Sequence, residues 1–132
     1  MTKQNIPIFG ARKIDAVTGR IPVRQLSING IGQLDAFEAD LKDTTYLPEY
    51  RTLLTYINFY AENGTLPPNK MKDITPGKAT VKEYEFRTKH LRVYAIHGKE
   101  GKLILLCGYK NTQEKDIRKF RSLKERYFES LQ

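Results

Sequence analysis

The chain contains a single cysteine, Cys107, among its 132 residues. One cysteine rules out a disulfide bond within the chain and cannot supply a thiolate metal site. Cys107 ends the apolar run Leu103-Ile104-Leu105-Leu106-Cys107. No group that would activate a catalytic thiol stands beside it in the sequence, so we predict a small, buried hydrophobic side chain.

Long hydrophobic runs are also missing. The stretch that ends at Cys107 is the longest uninterrupted apolar run, and it is far shorter than the roughly 20 residues that span a bilayer. The first residues, MTKQNIPIFGARK, are polar and lack the apolar core of a signal peptide. We therefore expect a protein of the reducing cytoplasm that has no membrane partner.

Acidic residues are outnumbered two to one by basic residues in the second half of the chain, which holds the whole net charge of +8. Residues 1–66 contain 7 Lys+Arg and 7 Asp+Glu, whereas residues 67–132 contain 16 and 8. A cationic half attracts polyanions, because binding releases counterions. This asymmetry favours a nucleic-acid partner, and a generic basic surface is the alternative.

The spacing of apolar residues predicts one α+β domain over residues 21–132. Residues 21–28 alternate as a strand does and stop at the Asn29-Gly30 turn. Apolar residues at helical spacing then mark two helices, over 34–41 and 47–61, and Asn63-Gly64 ends the second. Residues 1–20 are expected to form an N-terminal arm or an edge hairpin.

Three strand-like runs follow, over residues 81–88, 91–96 and 103–108. Successive strands with such short connections must form an antiparallel meander. The third run is apolar on both faces, as a central strand is. A basic amphipathic helix with an apolar stripe from Ile117 to Leu131 closes the chain. Its basic face is either solvated or a surface for nucleic acid.

Several short motifs lie on these elements. They are Tyr84-Glu85-Phe86-Arg87, Leu91-Arg92-Val93-Tyr94, Leu103 to Tyr109 with Lys110, Lys70-Met71-Lys72-Asp73 upstream, and Thr112-Gln113 with Ile117 downstream. In order and spacing, they resemble the RelE/HigB superfamily of bacterial type II toxins, and its phage-derived HigB-like branch in particular. The resemblance covers residues 21–128 or so. It implies a RelE-like fold with an N-terminal strand, a helical hairpin, the three-stranded antiparallel meander and a C-terminal basic helix.

The resemblance also implies a function. Toxins of this superfamily enter the ribosomal A site and cut mRNA without a metal or other cofactor, through attack of a ribose 2′-hydroxyl on the adjacent phosphorus. We therefore expect mRNA, the ribosome and a cognate antitoxin as partners. The transition state carries extra negative charge, which fixed guanidinium and ammonium groups stabilise. The sequence shows no His, Cys and Asp cluster at metal-ligand spacing, in agreement with that mechanism.

Site residues are assigned by their positions in the motifs. Arg92 corresponds to the strand arginine that contacts the scissile phosphate in family members. Lys110 and Arg87 match positions that are often basic. The expected RNA contacts are Lys70, Lys72, Tyr94, Tyr109 and Arg118.

The motifs depart from the family pattern at two glutamates. Glu83 and Glu85 share a strand face with Arg87, where several toxins carry lysines. Either they form surface salt bridges with Arg87 and Arg92, or one of them, with Glu85 as the candidate, is a general base. A catalytically inactive module that binds RNA or protein is the alternative function, and a structural or regulatory protein that keeps the fold is a third.

The family's acid and base residues have no match at the end of this chain. Tyr94 or Tyr109 could replace them. The two histidines, His90 and His97, are interpreted as ordinary surface residues, although an imidazole can titrate near neutral pH.

Overall fold

Within residues 6–132, which the computed structural model describes, a mixed β-sheet carries helices on both faces. The strands are β1 (Phe9–Lys13), β2 (Val23–Ile28), β3 (Ile31–Gly32), β4 (Met71–Asp73), β5 (Glu83–Arg87), β6 (Leu91–His97) and β7 (Lys102–Tyr109). The helices are α1 (Gln33–Leu41), α2 (Leu47–Asn63) and α3 (Gln113–Ser130), and a short 3-10 turn (Lys110–Thr112) precedes α3.

The strands follow the order β1-β2-β7-β6-β5-β4, with β3 paired to β2. The β2–β7 pair is parallel and the remaining pairs are antiparallel. The α+β class and the β5–β6–β7 meander are thus confirmed. β7 lies inside the sheet, between β2 and β6, which agrees with its apolar residues on both faces.

Both edges of the sheet are short strands. β1 pairs with β2, so part of the segment expected to be an arm or edge hairpin belongs to the sheet, while residues 1–5 lie outside the described residues. β4 forms the other edge against β5. The sequence did not predict β4, because three residues are too few to show a clear alternation.

The helices bury one apolar stripe each. α1 and α2 pack on one face of the sheet with Phe37, Leu53 and Ile57, and α3 packs on the other with Phe120 and Leu123. α2 is capped by Gly64, whose φ of 79° is a left-handed conformation that glycine adopts without strain. None of the helices in the described part of the chain is both long and apolar enough to cross a membrane.

A β-bulge interrupts the pairing of β6 with β7. Tyr94 pairs with Leu106 and Ala95 with Ile104, so Leu105 is the extra residue. Leu105 and Leu106 therefore both pack on the α3 side. Beyond the bulge the alternation of β7 is reversed, so that Tyr109 packs towards α1 and α2.

Candidate functional site

A cavity of about 480 Å³ opens where β5 turns into β6 and where β7 ends. It contains four of the residues that the motifs single out. Its cationic lining residues are Lys70, Arg87, Lys89, Arg92 and Lys110, and Glu49 is the one carboxylate among them. We call this the basic cavity. Such a concentration of positive charge favours an anionic ligand.

Backbone pairing brings these residues together. Arg87 and Arg92 are partners at the last position of the β5–β6 ladder. The Arg87 amide donates to the Lys70 carbonyl at 2.9 Å, and the Lys110 amide donates to the His90 carbonyl at 2.8 Å. The basic cavity is therefore formed by chain segments that the sheet itself holds in place.

Arg92 is much less accessible than its motif suggests, since only 3% of the residue is exposed. Its Nη1 donates to the Leu91 carbonyl at 2.8 Å and to the Thr88 carbonyl. Burial lowers the pKa of Arg92, the charge of Arg87 adds to that effect, and Glu85 opposes it. Arg92 thus lines the basic cavity although it is almost fully buried, whereas Arg87 is partly exposed and Lys110 is exposed.

Glu85 lies beneath the two arginines. Its Oε1 is 3.2 Å from Arg87 Nε and 3.6 Å from Arg92 Nε, and Gln113 donates to its Oε2 at 2.8 Å. The predicted pairing of Glu85 with the two arginines is present, but the Glu85 side chain is fully buried, so the prediction that these ion pairs lie at the surface is wrong. A carboxylate sealed in this way cannot accept a proton from a substrate. Glu85 instead compensates two like charges that would otherwise repel each other.

Glu83 has different partners from those expected. It is 1% exposed, and its carboxylate is 3.0 Å from Arg121 Nε and 2.7 Å from Lys124 Nζ. Both cations belong to α3, so the predicted pairing of Glu83 with Arg87 and Arg92 is wrong. The carboxylate ties the last helix to the sheet. Its partners lie 38 and 41 residues further along the chain, where no local pattern reveals them.

Tyr94 is in the core. The whole residue is buried, and its ring stacks on Phe120 with the centroids 5.6 Å apart. Burial raises the pKa of its phenol. The predictions that Tyr94 contacts RNA or replaces the family's acid or base are therefore wrong, because no substrate can reach it.

Tyr109 lines a smaller cavity of about 270 Å³, together with Tyr46, His90, Lys110 and Asn111. We call this the aromatic cavity. Its rings pack in a row, with centroids 5.7 Å apart for Tyr109 and Tyr46 and 5.4 Å apart for Tyr46 and His90. Lys110 lines both cavities, so they are neighbours. Tyr109 is thus close to the basic cavity, although it does not line it.

Lys72 and Arg118 lie apart from both cavities. Lys72 is exposed on the edge strand β4, and Arg118 is exposed on α3. Neither lines the basic or the aromatic cavity. If they contact RNA, they do so outside the place where the other predicted residues meet.

Comparison of the chain with family models, curated proteins and solved structures finds no significant match. The resemblance to RelE/HigB toxins therefore stays a prediction from the motifs. Any inference about function therefore depends on the side chains that line the two cavities.

His90 is the site residue whose surroundings the sequence did not reveal. Its Nδ1 is 2.8 Å from Glu49 Oε1, and its backbone amide donates to Glu49 Oε2 at 2.7 Å. Thr88 also donates its hydroxyl to Oε2. Burial raises the pKa of Glu49, but the hydrogen bonds from Thr88 and His90 outweigh it and leave the pKa lowered. Glu49 is 41 residues from His90, so spacing alone gives no sign of the pair.

The side chains at this end of the sheet are suited to phosphate binding and proton transfer. Among the described residues, no group of three or more His, Cys, Asp or Glu is placed to hold a metal ion. The groups that do converge are guanidinium, ammonium and imidazole. The first two neutralise phosphate oxygens, and the third transfers protons.

Proposed function

We propose that the protein is an endoribonuclease of the RelE/HigB toxin type, which cleaves mRNA on the ribosome without a metal and is neutralised by a cognate antitoxin. The basic cavity carries this proposal, because five cationic side chains meet there with one carboxylate. A polyanionic strand is the ligand that such a cavity favours. The order of strand, helix pair, meander and last helix supports it as well, since the resemblance implies the same order.

The chemistry assigned to this cavity is attack of a ribose 2′-oxygen on the adjacent phosphorus. The bond from phosphorus to the 5′-oxygen breaks, which leaves a 2′,3′-cyclic phosphate and a 5′-hydroxyl. Negative charge grows on the phosphate oxygens during this step. Arg87 meets two oxygens with its planar fork, Lys110 supplies a point charge, and Arg92 supports both from below.

The antitoxin would act at the end of the sheet. Helices pack on both faces of the sheet, so no broad basic sheet face is open to a partner. The basic cavity and the exposed cations nearby form a charged surface at this end of the sheet. An acidic antitoxin segment laid over them would exclude RNA, and a segment that wraps α1 and α2 is the other arrangement.

The test is cleavage by the purified protein with ribosomes and mRNA, together with growth after expression of the protein alone. We expect wild type to cleave and to arrest growth. Arg87→Ala and Lys110→Ala should each lower the cleavage rate on the order of 10²- to 10³-fold, as loss of a transition-state donor does. Lys99→Ala removes an equal charge from the exposed β6–β7 turn and should change little. A wild type that neither arrests growth nor cleaves mRNA on ribosomes would refute the proposal.

An inactive RNA-binding module is the second candidate. The burial of Arg92 and its compensation by Glu85 favour it, because both weaken the charge offered to a phosphate. In that case RNA should bind with a steep dependence on salt but remain intact. Arg87→Ala should then reduce the slope of log binding constant against log salt concentration by about one, and the RNA should stay uncut.

A further inference from the structure

The turn between β5 and β6 holds a histidine against a carboxylate. Glu49, from the first turn of α2, contacts both the ring and the backbone amide of His90. The same carboxylate accepts the Thr88 hydroxyl. Three hydrogen bonds from residues 88–90 thus fix the position of this turn and the direction of the imidazole.

The pairing also selects the form of the ring. A carboxylate accepts a hydrogen bond, so the Nδ1 that faces it carries the proton. In the neutral imidazole the other nitrogen, Nε2, then has a free lone pair. Carboxylates that orient a histidine in this way also stabilise the imidazolium that forms when Nε2 takes up a proton.

His90 is tied to the cations that would bind the phosphate. Its carbonyl accepts the Lys110 amide at 2.8 Å, and the Thr88 carbonyl in the same turn accepts Arg92 Nη1. His90 and Lys110 line the aromatic cavity together, and Lys110 continues into the basic cavity. Lys110 therefore connects the cavity that holds the imidazole to the cavity that would hold the phosphate.

The other groups that the sequence offered for proton transfer are less suitable. Glu85 and Tyr94 are fully buried. Tyr109 is accessible, but burial raises the pKa of its phenol, with Asp40 and Tyr46 adding to the shift, so it is a poor base at neutral pH. Glu49 has both oxygens engaged by the turn.

We propose that His90 is the general base of the cleavage and that Glu49 is its positioning residue. This inference rests on the proposed function. His90 Nε2 takes the proton of the 2′-hydroxyl while the 2′-oxygen forms its bond to phosphorus. The bond to the 5′-oxygen breaks, and the ammonium of Lys110 donates the proton that the leaving oxygen needs. Solvent then returns the two residues to their starting forms.

The test compares the two histidines of the chain. His90→Gln should lower kcat on the order of 10²- to 10³-fold. It should also alter the pH profile of kcat, which a merely structural role of His90 would leave unchanged. His97→Gln is the matched control and should keep both the rate and its pH dependence. Glu49→Gln should lower kcat about tenfold, because the imidazole is still present but is no longer held by a carboxylate.

A second variant separates chemistry from folding. His90→Ala should lose activity, and added imidazole should restore part of it, which a merely unfolded protein cannot show. Cleavage by His90→Gln at the wild-type rate with the wild-type pH profile would overturn the role of His90 while leaving the nuclease proposal intact. Absence of cleavage by wild type itself would overturn the nuclease proposal, and the role of His90 with it.

Discussion

The two histidines lie at opposite ends of β6 and have partners of opposite charge. His90 contacts the carboxylate of Glu49 at 2.8 Å, whereas His97 Nδ1 is 3.3 Å from the ammonium of Lys102. Burial lowers the pKa of His97, and the positive charge of Lys102 lowers it further. An imidazole beside a carboxylate is ready to accept a proton, while one beside a cation resists it. The same residue type thus has a different chemistry at each end of the meander.

Two lysines at the ends of the meander, Lys110 and Lys102, also differ in how far they are exposed. Lys110 is exposed at the mouth of the basic cavity. Lys102 is 4% exposed, with its Nζ 3.7 Å from the ring centroid of Tyr84 and 4.4 Å from that of Tyr60. Burial lowers the pKa of Lys102 to about 8, against the opposing charge of Asp73. One end of the meander leaves its charge exposed, and the other encloses its charge between aromatic rings.

The largest effect is expected from the carboxylate beneath the site. Glu85→Ala leaves the buried Arg92 without its counter-charge, so we expect it to lower the free energy of unfolding by about 3 to 5 kcal/mol. Glu83→Ala should cost less, since one of its two partners, Arg121, is 42% exposed and can turn to water, although Lys124 is only 14% exposed. Urea unfolding of both variants measures the difference. Equal losses of unfolding free energy would contradict this prediction, because they would show that the two glutamates stabilise the fold to the same extent.

The sequence predicted those parts of the fold that have local signals. Apolar spacing located α1, α2, α3 and the meander, because each pattern is contained in one segment. The parallel pairing of β2 with β7 was not predicted, since 79 residues separate Val23 from its partner Lys102 and no local pattern links them.

The site was predicted less completely than the fold. The motifs singled out Arg87, Arg92 and Lys110, and the structure places all three in one cavity. The motifs could not indicate how far Arg92 is buried, because α3 covers that face of the sheet and its basic pattern suggested only a surface helix. The Glu49–His90 pair depends on the docking of α2 against the β5–β6 turn, which is a tertiary contact.

The enclosed lysine predicts an unusual pH dependence of stability. The unfolded chain keeps the Lys102 proton up to the ordinary lysine pKa of about 10.4. The folded chain loses it near the lowered pKa of about 8. The folded state therefore binds fewer protons between these values, and stability rises with pH there.

Between pH 8 and pH 10 we expect a gain of about 2 kcal/mol from this group, at about 1.4 kcal/mol per pKa unit. Urea unfolding at several pH values measures it. Lys102→Met should remove the gain, and Lys99→Met, at an exposed position, should preserve it. A wild type whose stability is flat or falling over this range would contradict the enclosed charge.

The smallest effect on stability is expected from an exposed ion pair at the turn between β6 and β7. Arg24 and Glu100 form an ion pair at 3.5 Å, with side chains 44% and 78% exposed. Water and salt screen such a pair, so Glu100→Ala should leave the urea midpoint unchanged within error. A clear loss of stability would contradict this expectation, because it would mean that the ion pair stabilises the fold despite its exposure.

The bulge at Leu105 reverses, part-way along β7, which face of the sheet each successive side chain lies on. Unbroken alternation would turn Tyr109 towards α3, whereas the bulge turns it towards α1 and α2, where it lines the aromatic cavity. A single extra residue thus decides on which side of the sheet the ring of Tyr109 lies, and with it which side chains line the aromatic cavity.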